Sequence, residues 1–323
     1  APLLCTHATG DTVVPIASHK AFADAYRVAG NRVEFYEYPT DVCPGLSGHC
    51  IWIPDSKPHR LIPEIEEQIR EFVRPQVDLV CVYYPHWHRY PKGDEWFGAD
   101  KWKEGEWCFV KDAIPRFPGH RQPIVPKHGY LNGADPNDMA KEIDLAADAG
   151  IDVFLYDYYY YNGQITQEES IEQGFLKASN RLRMKFALMW CYHERNRAWR
   201  ARPGEKPERL MTLANTTEEF LGLIRYSCER YFNKPEYYRK DGKLFFSIYN
   251  GWKFVGERGN DVARVRSDLE KARELVRSVG LGEIHFNVQN PYGIEEMELL
   301  SSCGFDSATH YNPDRAVVSD RVK

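Results

Sequence analysis

The sequence has no basic run, and 47 Asp and Glu outweigh 42 Lys and Arg to give a formal net charge of −5. That balance excludes the electrostatic footprint of a nucleic-acid-binding protein. No apolar stretch approaches the roughly 20 residues a membrane-spanning helix needs, so no membrane span is expected. The eight cysteines include no Cys-x-x-Cys pair, and no His and Cys cluster has zinc spacing, so no metal site is expected. Cys43 and Cys50 read as free thiols, and Cys81 and Cys191 as small hydrophobes within strand-like runs. The opening APLLCTHATGDTVVP has no initiating Met and neither the basic nor the apolar region of a signal peptide. A processed or truncated start is the expectation. Location then stays open: secreted or periplasmic if a preceding segment carries a signal, cytoplasmic otherwise. Internal repeats and low-complexity segments are also missing.

What the chain does have is aromatic residues, at 14% of its 323 residues, with 20 Tyr and 8 Trp. Aromatic faces pack against the C–H faces of sugar rings, and Tyr hydroxyls and indole N–H groups bond sugar hydroxyls. A large aromatic core is the alternative explanation, and composition does not choose between the two.

Strand and helix patterns alternate throughout, which favours a parallel sheet with crossover helices. Leu3–Thr6 reads as a strand, Ile16–Val28 as an amphipathic helix, Arg32–Tyr38 as a strand and Leu61–Val73 as a helix. Pro75 breaks the chain, and a module boundary is placed there, giving segments 1–76 and 77–323. In the second segment Val77–Tyr84, Ile151–Tyr161, Met184–Tyr192, Leu244–Asn250, Glu283–Gln289 and Phe305–Tyr311 read as buried strands. Asp135-Pro136 opens one helix as N-cap and first-turn proline. Thr166 with Glu169, and Thr216 with Glu219, read as capping boxes for the next two. A further helix covers Asn260–Val279. Residues 89–134, rich in Trp, Gly and Pro, are too long for an ordinary connection and read as an ordered loop packed over the barrel mouth.

In a β/α barrel the active residues project from the C-terminal ends of the strands. The six ends here supply Tyr84, His86 and Trp87; Asp157 and Tyr159; Trp190, His193 and Glu194; Tyr249 and Asn250; Gln289 and Asn290; and His310 and Tyr311. Any one of these has a bland explanation: His86 capping a loop, Asp157 bonding backbone amides, Glu194 pairing with Arg195 or Arg197. The coincidence across six ends favours function for the group. Glycoside hydrolysis ordinarily needs two carboxyl groups, and Asp157 and Glu194 are the only acids at these ends. Metal binding by His86, His88 and His193 is the weaker idea, and no cofactor is expected.

Six motifs carry a resemblance: YYPHWH at 83–88, PRFPGHRQPIVPKHGY at 115–130, AGIDVFLYDYYYYNG at 149–163, FALMWCYHE at 186–194, DGKLFFSIY at 241–249 and GFDSATHY at 304–311. Their order and wording resemble the WbsX-type domain, a relative of glycoside hydrolase family 99. The resemblance implies a (β/α)8 TIM-type barrel, about six strands of it present, that acts on polysaccharide or oligosaccharide chains. It also implies endo-acting α-mannoside-type cleavage, with Tyr84, His86, Asp157, Tyr159, His193 and Glu194 at substrate-facing positions. The chain departs from family 99 in lacking its late Asn-Glu-Trp-x-Glu-Gly motif, so that family's catalytic glutamates map onto no residue here. An internal piece of a longer protein is the expectation, and a catalytically silent glycan-binding barrel is the alternative.

Residues 1–74 resemble the C-terminal end of an α/β-hydrolase of the esterase kind. Asp11 follows a strand where that fold places its triad acid, and His49 sits where it places the base. No G-x-S-x-G nucleophile elbow occurs in the chain, so Asp11 and His49 read as remnants of a triad, and a carbohydrate esterase is the second alternative. Counting two strands before Pro75 and six after it offers a rival, a single barrel over the whole chain.

Overall fold

The computed structural model describes residues 3–9, 16–38, 65, 69, 78–197, 207–291 and 293–311. The chain divides into two compact units, 1–77 and 78–323. In the first, β1 (Leu3–Ala8) runs parallel to β2 (Val33–Tyr38), with α1 (Ile16–Val28) as the crossover. Of the expected helix over 61–73, Ile65 and Ile69 are described and both are helical. Asp11, Cys43, His49, Cys50 and Pro75 lie outside the described residues.

The second unit contains β3 (Val80–Tyr83), α2 (Pro91–Phe97), α3 (Trp107–Lys111), α4 (Pro136–Asp148), β4 (Val153–Tyr161), β5 (Gln164–Thr166) and β6 (Lys185–Trp190). After these come β7 (Arg195–Arg197), β8 (Glu208–Met211), α5 (Thr217–Arg230), β9 (Arg239–Lys240), β10 (Lys243–Ile248), α6 (Gly251–Gly256), α7 (Val262–Ser278), β11 (Ile284–Gln289), α8 (Ile294–Ser302) and β12 (Ser307–Thr309). Six strands form one parallel sheet in the order β3-β4-β6-β10-β11-β12. Neighbours in space are successive in the chain among these six, which is the β/α barrel arrangement rather than a doubly wound one. β1 pairs only with β2 among the described residues.

Side chains alternate between two faces along each strand. Phe154, Tyr156, Tyr158, Phe186, Trp190 and Phe286 face the helix layer, where they meet Phe175, Phe220, Tyr231 and Phe254 edge to face, tilted or stacked, and Phe246 on the same face meets Phe232 and Phe286 edge to face. The other face turns inward. It carries Asp157, Tyr159, Cys191, Ser247, Asn287 and Gln289, all buried. The strands therefore read as unbroken apolar and aromatic runs with isolated polar residues.

The ends of the strands use a shared device. Asn162 and Asn290 directly follow a strand end and Asn250 lies one residue beyond one, and they hold φ of +46°, +60° and +58° respectively. Asparagine tolerates this left-handed conformation better than most residues. Asn250 and Asn290 thus turn the chain, and Asn290 Oδ1 also accepts the Tyr311 N–H at 3.0 Å. Caps follow the sequence in two places: Asp135 accepts from the amides of Asn137 and Asp138, and Thr216 from that of Glu219. The third differs. The Thr166 hydroxyl donates to Gln167 Oε1 at 2.6 Å, and a π-helical turn at Ser170–Gly174 begins without a side-chain cap.

One charge pair is fully buried under the helices. Arg258 Nε donates to Asp268 Oδ2 at 2.9 Å, and its guanidinium lies 3.6 Å from the Phe254 ring centroid. Removing one partner leaves the other charged and unpaired in the interior. Asp268→Ala should cost about 3–5 kcal/mol, read as a lower urea midpoint, and adding Arg258→Met should restore a substantial part of the loss.

Candidate functional site

The inward-facing residues at the strand ends form a continuous line of rings. Tyr84 stacks on His86, with centroids 4.1 Å apart and planes within 2°. His86 meets Tyr159 edge-on at 5.2 Å, and Tyr159 meets His193 at 6.1 Å. His193 meets Tyr249 at 6.0 Å, and Tyr249 meets Tyr311 at 5.3 Å. These residues come from the ends of β3, β4, β6, β10 and β12, so the sheet alone sets their spacing.

The first ring pair is anchored by a carboxylate from outside the sheet. Glu106 Oε1 accepts the Tyr84 hydroxyl at 2.8 Å and lies 3.0 Å from His86 Nδ1. Gly105 makes this possible. It has φ +65°, and a Cβ there would fall 2.3 Å from the His88 carbonyl oxygen and 2.4 Å from that of His86. The Glu106 amide bonds the same His86 carbonyl at 3.0 Å. Arg195 Nη2 also approaches His86 Nδ1, at 3.2 Å. Burial brings the His86 imidazole down to about 4, Arg195 adds to that effect and Glu106 opposes it, so His86 is neutral near pH 7.

The two acids at the strand ends differ sharply. Asp157 is buried, its Oδ1 makes no hydrogen bond, and burial pushes its carboxyl up to about 7 against the pull of the neighbouring Cys191 thiol and Tyr311 hydroxyl. Glu194 is part-exposed. Its own backbone N–H, and after that Lys253, hold its carboxyl below the usual range. Lys253 Nζ lies 3.5 Å from Glu194 Oε1 and also pairs with Glu257. Glu194 thus pairs with Lys253, not with Arg195 or Arg197. Two carboxyl groups whose surroundings drive their pKa values apart can serve one as acid and the other as base.

Beneath the rings lies a polar ladder inside the barrel. Gln289 Nε2 donates to Ser247 Oγ at 3.1 Å and Asn287 Oδ1 at 3.2 Å, while Asn287 Nδ2 donates to Ser307 Oγ at 2.9 Å. Gln289, the last residue of β11, is buried within this ladder.

Three expected residues lie elsewhere. Trp190 has the opposite strand parity; it is fully buried against Phe220 and Phe254, with Nε1 donating to the Tyr160 carbonyl at 3.1 Å. It is a core residue with no surface to offer a sugar. His310 has the helix-side parity and is exposed. Trp87 is half-buried and packs on Trp107 at 4.1 Å, beside the ring line. Glu106, Arg195 and Lys253, in turn, were not singled out by sequence. The Gly-Glu pair at 105–106, directly after the Trp-rich stretch, is the one sequence signal that bears on Glu106. Among the described residues no group of three His, Cys, Asp or Glu is placed to hold a metal ion. The six described cysteines are free.

The raised Asp157 pKa has a sign that can be tested. Folding favours the protonated form, so the folded state binds the extra proton, and stability falls as pH rises from about 4 to about 7. Asp157→Asn should therefore leave the urea midpoint nearly unchanged at pH 4 and raise it at pH 8. An equal effect at both pH values would contradict the burial argument.

Residues 79–322 match the family described as Glycosyltransferase WbsX. The WxcX protein of Xanthomonas campestris pv. campestris, uncharacterized and present in two strains, is 28% identical over 237 residues, 73% of this chain. The chain spans 31% of the length of those relatives. Among solved structures, the glycoside hydrolase family 99 endo-α-mannosidase of Bacteroides thetaiotaomicron is 16% identical with a TM-score of 0.48, over 72% of this chain and 61% of that one. A glycoside hydrolase-like protein is 18% identical with a TM-score of 0.42, over 61% and 58%. The match begins at residue 79 and lends nothing to the esterase resemblance of residues 1–74. Since it covers about three quarters of the sequence, the chain belongs to the WbsX family.

Proposed function

We propose that residues 77–323 are a glycoside hydrolase-like barrel that holds a polysaccharide or oligosaccharide chain across its strand ends and acts at a glycosidic bond. The observation that carries this reading is the ring line from Tyr84 through Tyr159, His193 and Tyr249 to Tyr311, with the Asp157 carboxyl beside Tyr311. At the open end of the line, His193, Tyr249 and Tyr311 meet edge-on and are only partly buried or exposed, which leaves ring surface for a sugar. In this proposal Asp157, half protonated near neutrality, donates a proton to the leaving oxygen. Glu194, held ionised, supports the developing positive charge at the anomeric carbon or activates water. The finer reading, internal cleavage of α-mannosides, follows from the motif resemblance, and domain identities follow it too: an esterase-like segment at 1–76 and the barrel at 77–323.

Glycosyl transfer, the activity in the family's description, also breaks an anomeric C–O bond, but one to the phosphate of a sugar nucleotide, which leaves as the nucleotide while the sugar passes to a hydroxyl other than water's. A second reading, glycan binding without cleavage, is favoured by one feature: the Glu194 carboxylate is already paired with Lys253, and the Asp157 carboxyl lies beside the Tyr311 hydroxyl.

Incubation with α-mannans and other polysaccharides should release new reducing ends. Glu194→Gln and Asp157→Asn should each lower kcat by ~100-fold or more, and Tyr249→Ala should chiefly raise KM. Release undiminished in Glu194→Gln would remove that residue from the chemistry. Binding without release would favour the silent barrel, and turnover only with a sugar nucleotide would favour transfer.

A further inference from the structure

Arg195 is the unusual charge in this unit. It is only 8% exposed, and among the described residues no carboxylate lies within ion-pair distance of it. Its guanidinium sits 5.3 Å from the Tyr159 ring centroid and 5.9 Å from that of Trp96, and Tyr84, Tyr90 and Tyr161 also face it. Nη2 reaches the neutral imidazole of His86, and Nε has no hydrogen-bond partner. Glu106 reaches this cation only through His86, and its Oε1 is already taken by Tyr84 and His86.

The groups around Arg195 share its lack of partners. The Tyr90 hydroxyl, the Tyr161 hydroxyl and Gln167 Nε2 are each buried with no hydrogen bond made. Gln167 and Arg195 both lie close enough to pull on the Tyr90 hydroxyl without completing a well-formed hydrogen bond to it, and Tyr161 faces Arg195 and Tyr90. Gln167 Oε1 is held by Thr166, so its free atoms are donors. Its backbone sits at φ +64°, which few long side chains adopt and which surrounding structure must enforce. Among the described residues the cluster is therefore a set of donors around a cation with no carboxylate partner, beside the ring line. Buried charges and donors are ordinarily paired. An anion with two acceptor oxygens in one plane meets a guanidinium fork best, and that describes a carboxylate.

We propose that Arg195, with Tyr90, Tyr161 and Gln167, forms a subsite for the carboxylate of an acidic sugar, so that the glycan bound across the strand ends carries uronic acid units. This rests on the glycan-handling reading and narrows its substrate class. Trp96 and Tyr159 flank the guanidinium, exclude water and strengthen the ion pair. A lysine here would keep the charge and lose the fork.

The test measures binding of the intact chain to pectate, alginate, hyaluronan and glucuronoxylan, to the same polymers after chemical reduction of their carboxyl groups, and to neutral mannan and glucan. The expected result is binding to at least one acidic polymer that weakens tenfold or more on carboxyl reduction. Arg195→Met should abolish that preference, Arg195→Lys should restore only part of it, and Tyr90→Phe should reduce it several-fold. The comparison of native and reduced polymer uses the unaltered protein, so it decides even if Arg195→Met does not fold. Equal binding of native and reduced polymers, or binding of neutral glycans alone, overturns the subsite and leaves the glycan reading standing. Failure to bind any of these glycans overturns both.

Discussion

Everything in the second unit depends on one constraint: the inner face of a parallel sheet is shut off from water, yet here it carries polar groups. Each such group must find a partner, shift its pKa or wait for a ligand. Ser247, Asn287, Gln289 and Ser307 take the first course and bond one another. Asp157 takes the second, its proton retained to about 7. Arg195, whose guanidinium stays charged under all ordinary conditions, has only the third course for its unpaired Nε. Asp157 lies in register with the ladder residues Ser247, Asn287 and Ser307, whereas Arg195 stands on the β7–β8 pair beyond the strand ends.

Much of the architecture was legible because long buried runs and cap signals are strong. Val153–Tyr161, buried at every position, has no reading other than a central strand once Gly150 and Asn162 bracket it. Asp135 and Thr216 cap as their spacing implies because a helix of ordinary geometry follows each. Thr166 fails because it ends the short strand Gln164–Thr166, and its hydroxyl is committed to the next residue. The hairpin at 195–197 and 208–211 and the short helix at 251–256 left no periodic signal to find.

The site was legible in part for a related reason. A sheet buried on both faces erases the period-two alternation that tells inside from outside. Strand ends could be located, but not which neighbour of each pair turns inward. So His193 and Trp190, three residues apart, both looked eligible, and only pairing and packing separate the ring that lines the mouth from the indole under the helices. Glu106 and Arg195 were invisible to a rule that searches strand ends, because one arrives on a loop and the other on a hairpin edge. Their partners are 20 to 109 residues away in the chain, as with the Arg195–His86 contact. Such pairings exist only once the sheet has brought those segments together.

The close approach at Gly105 has a consequence for how the site is held. Glu106 is positioned by residues 91–111, which fasten on their own aromatic cluster of Tyr90, Phe97, Trp102 and Phe109. Tyr90 links that cluster to His86 and His88, each at 6.0 Å. A local opening of this segment would therefore release His86 and Tyr84 from their shared carboxylate while every strand stayed paired. The energetic cost of that opening, rather than the global stability of the barrel, governs how often the first rings of the line lose their orientation. The orientation of these first rings is in this sense set by a small aromatic core carried on residues 90–109.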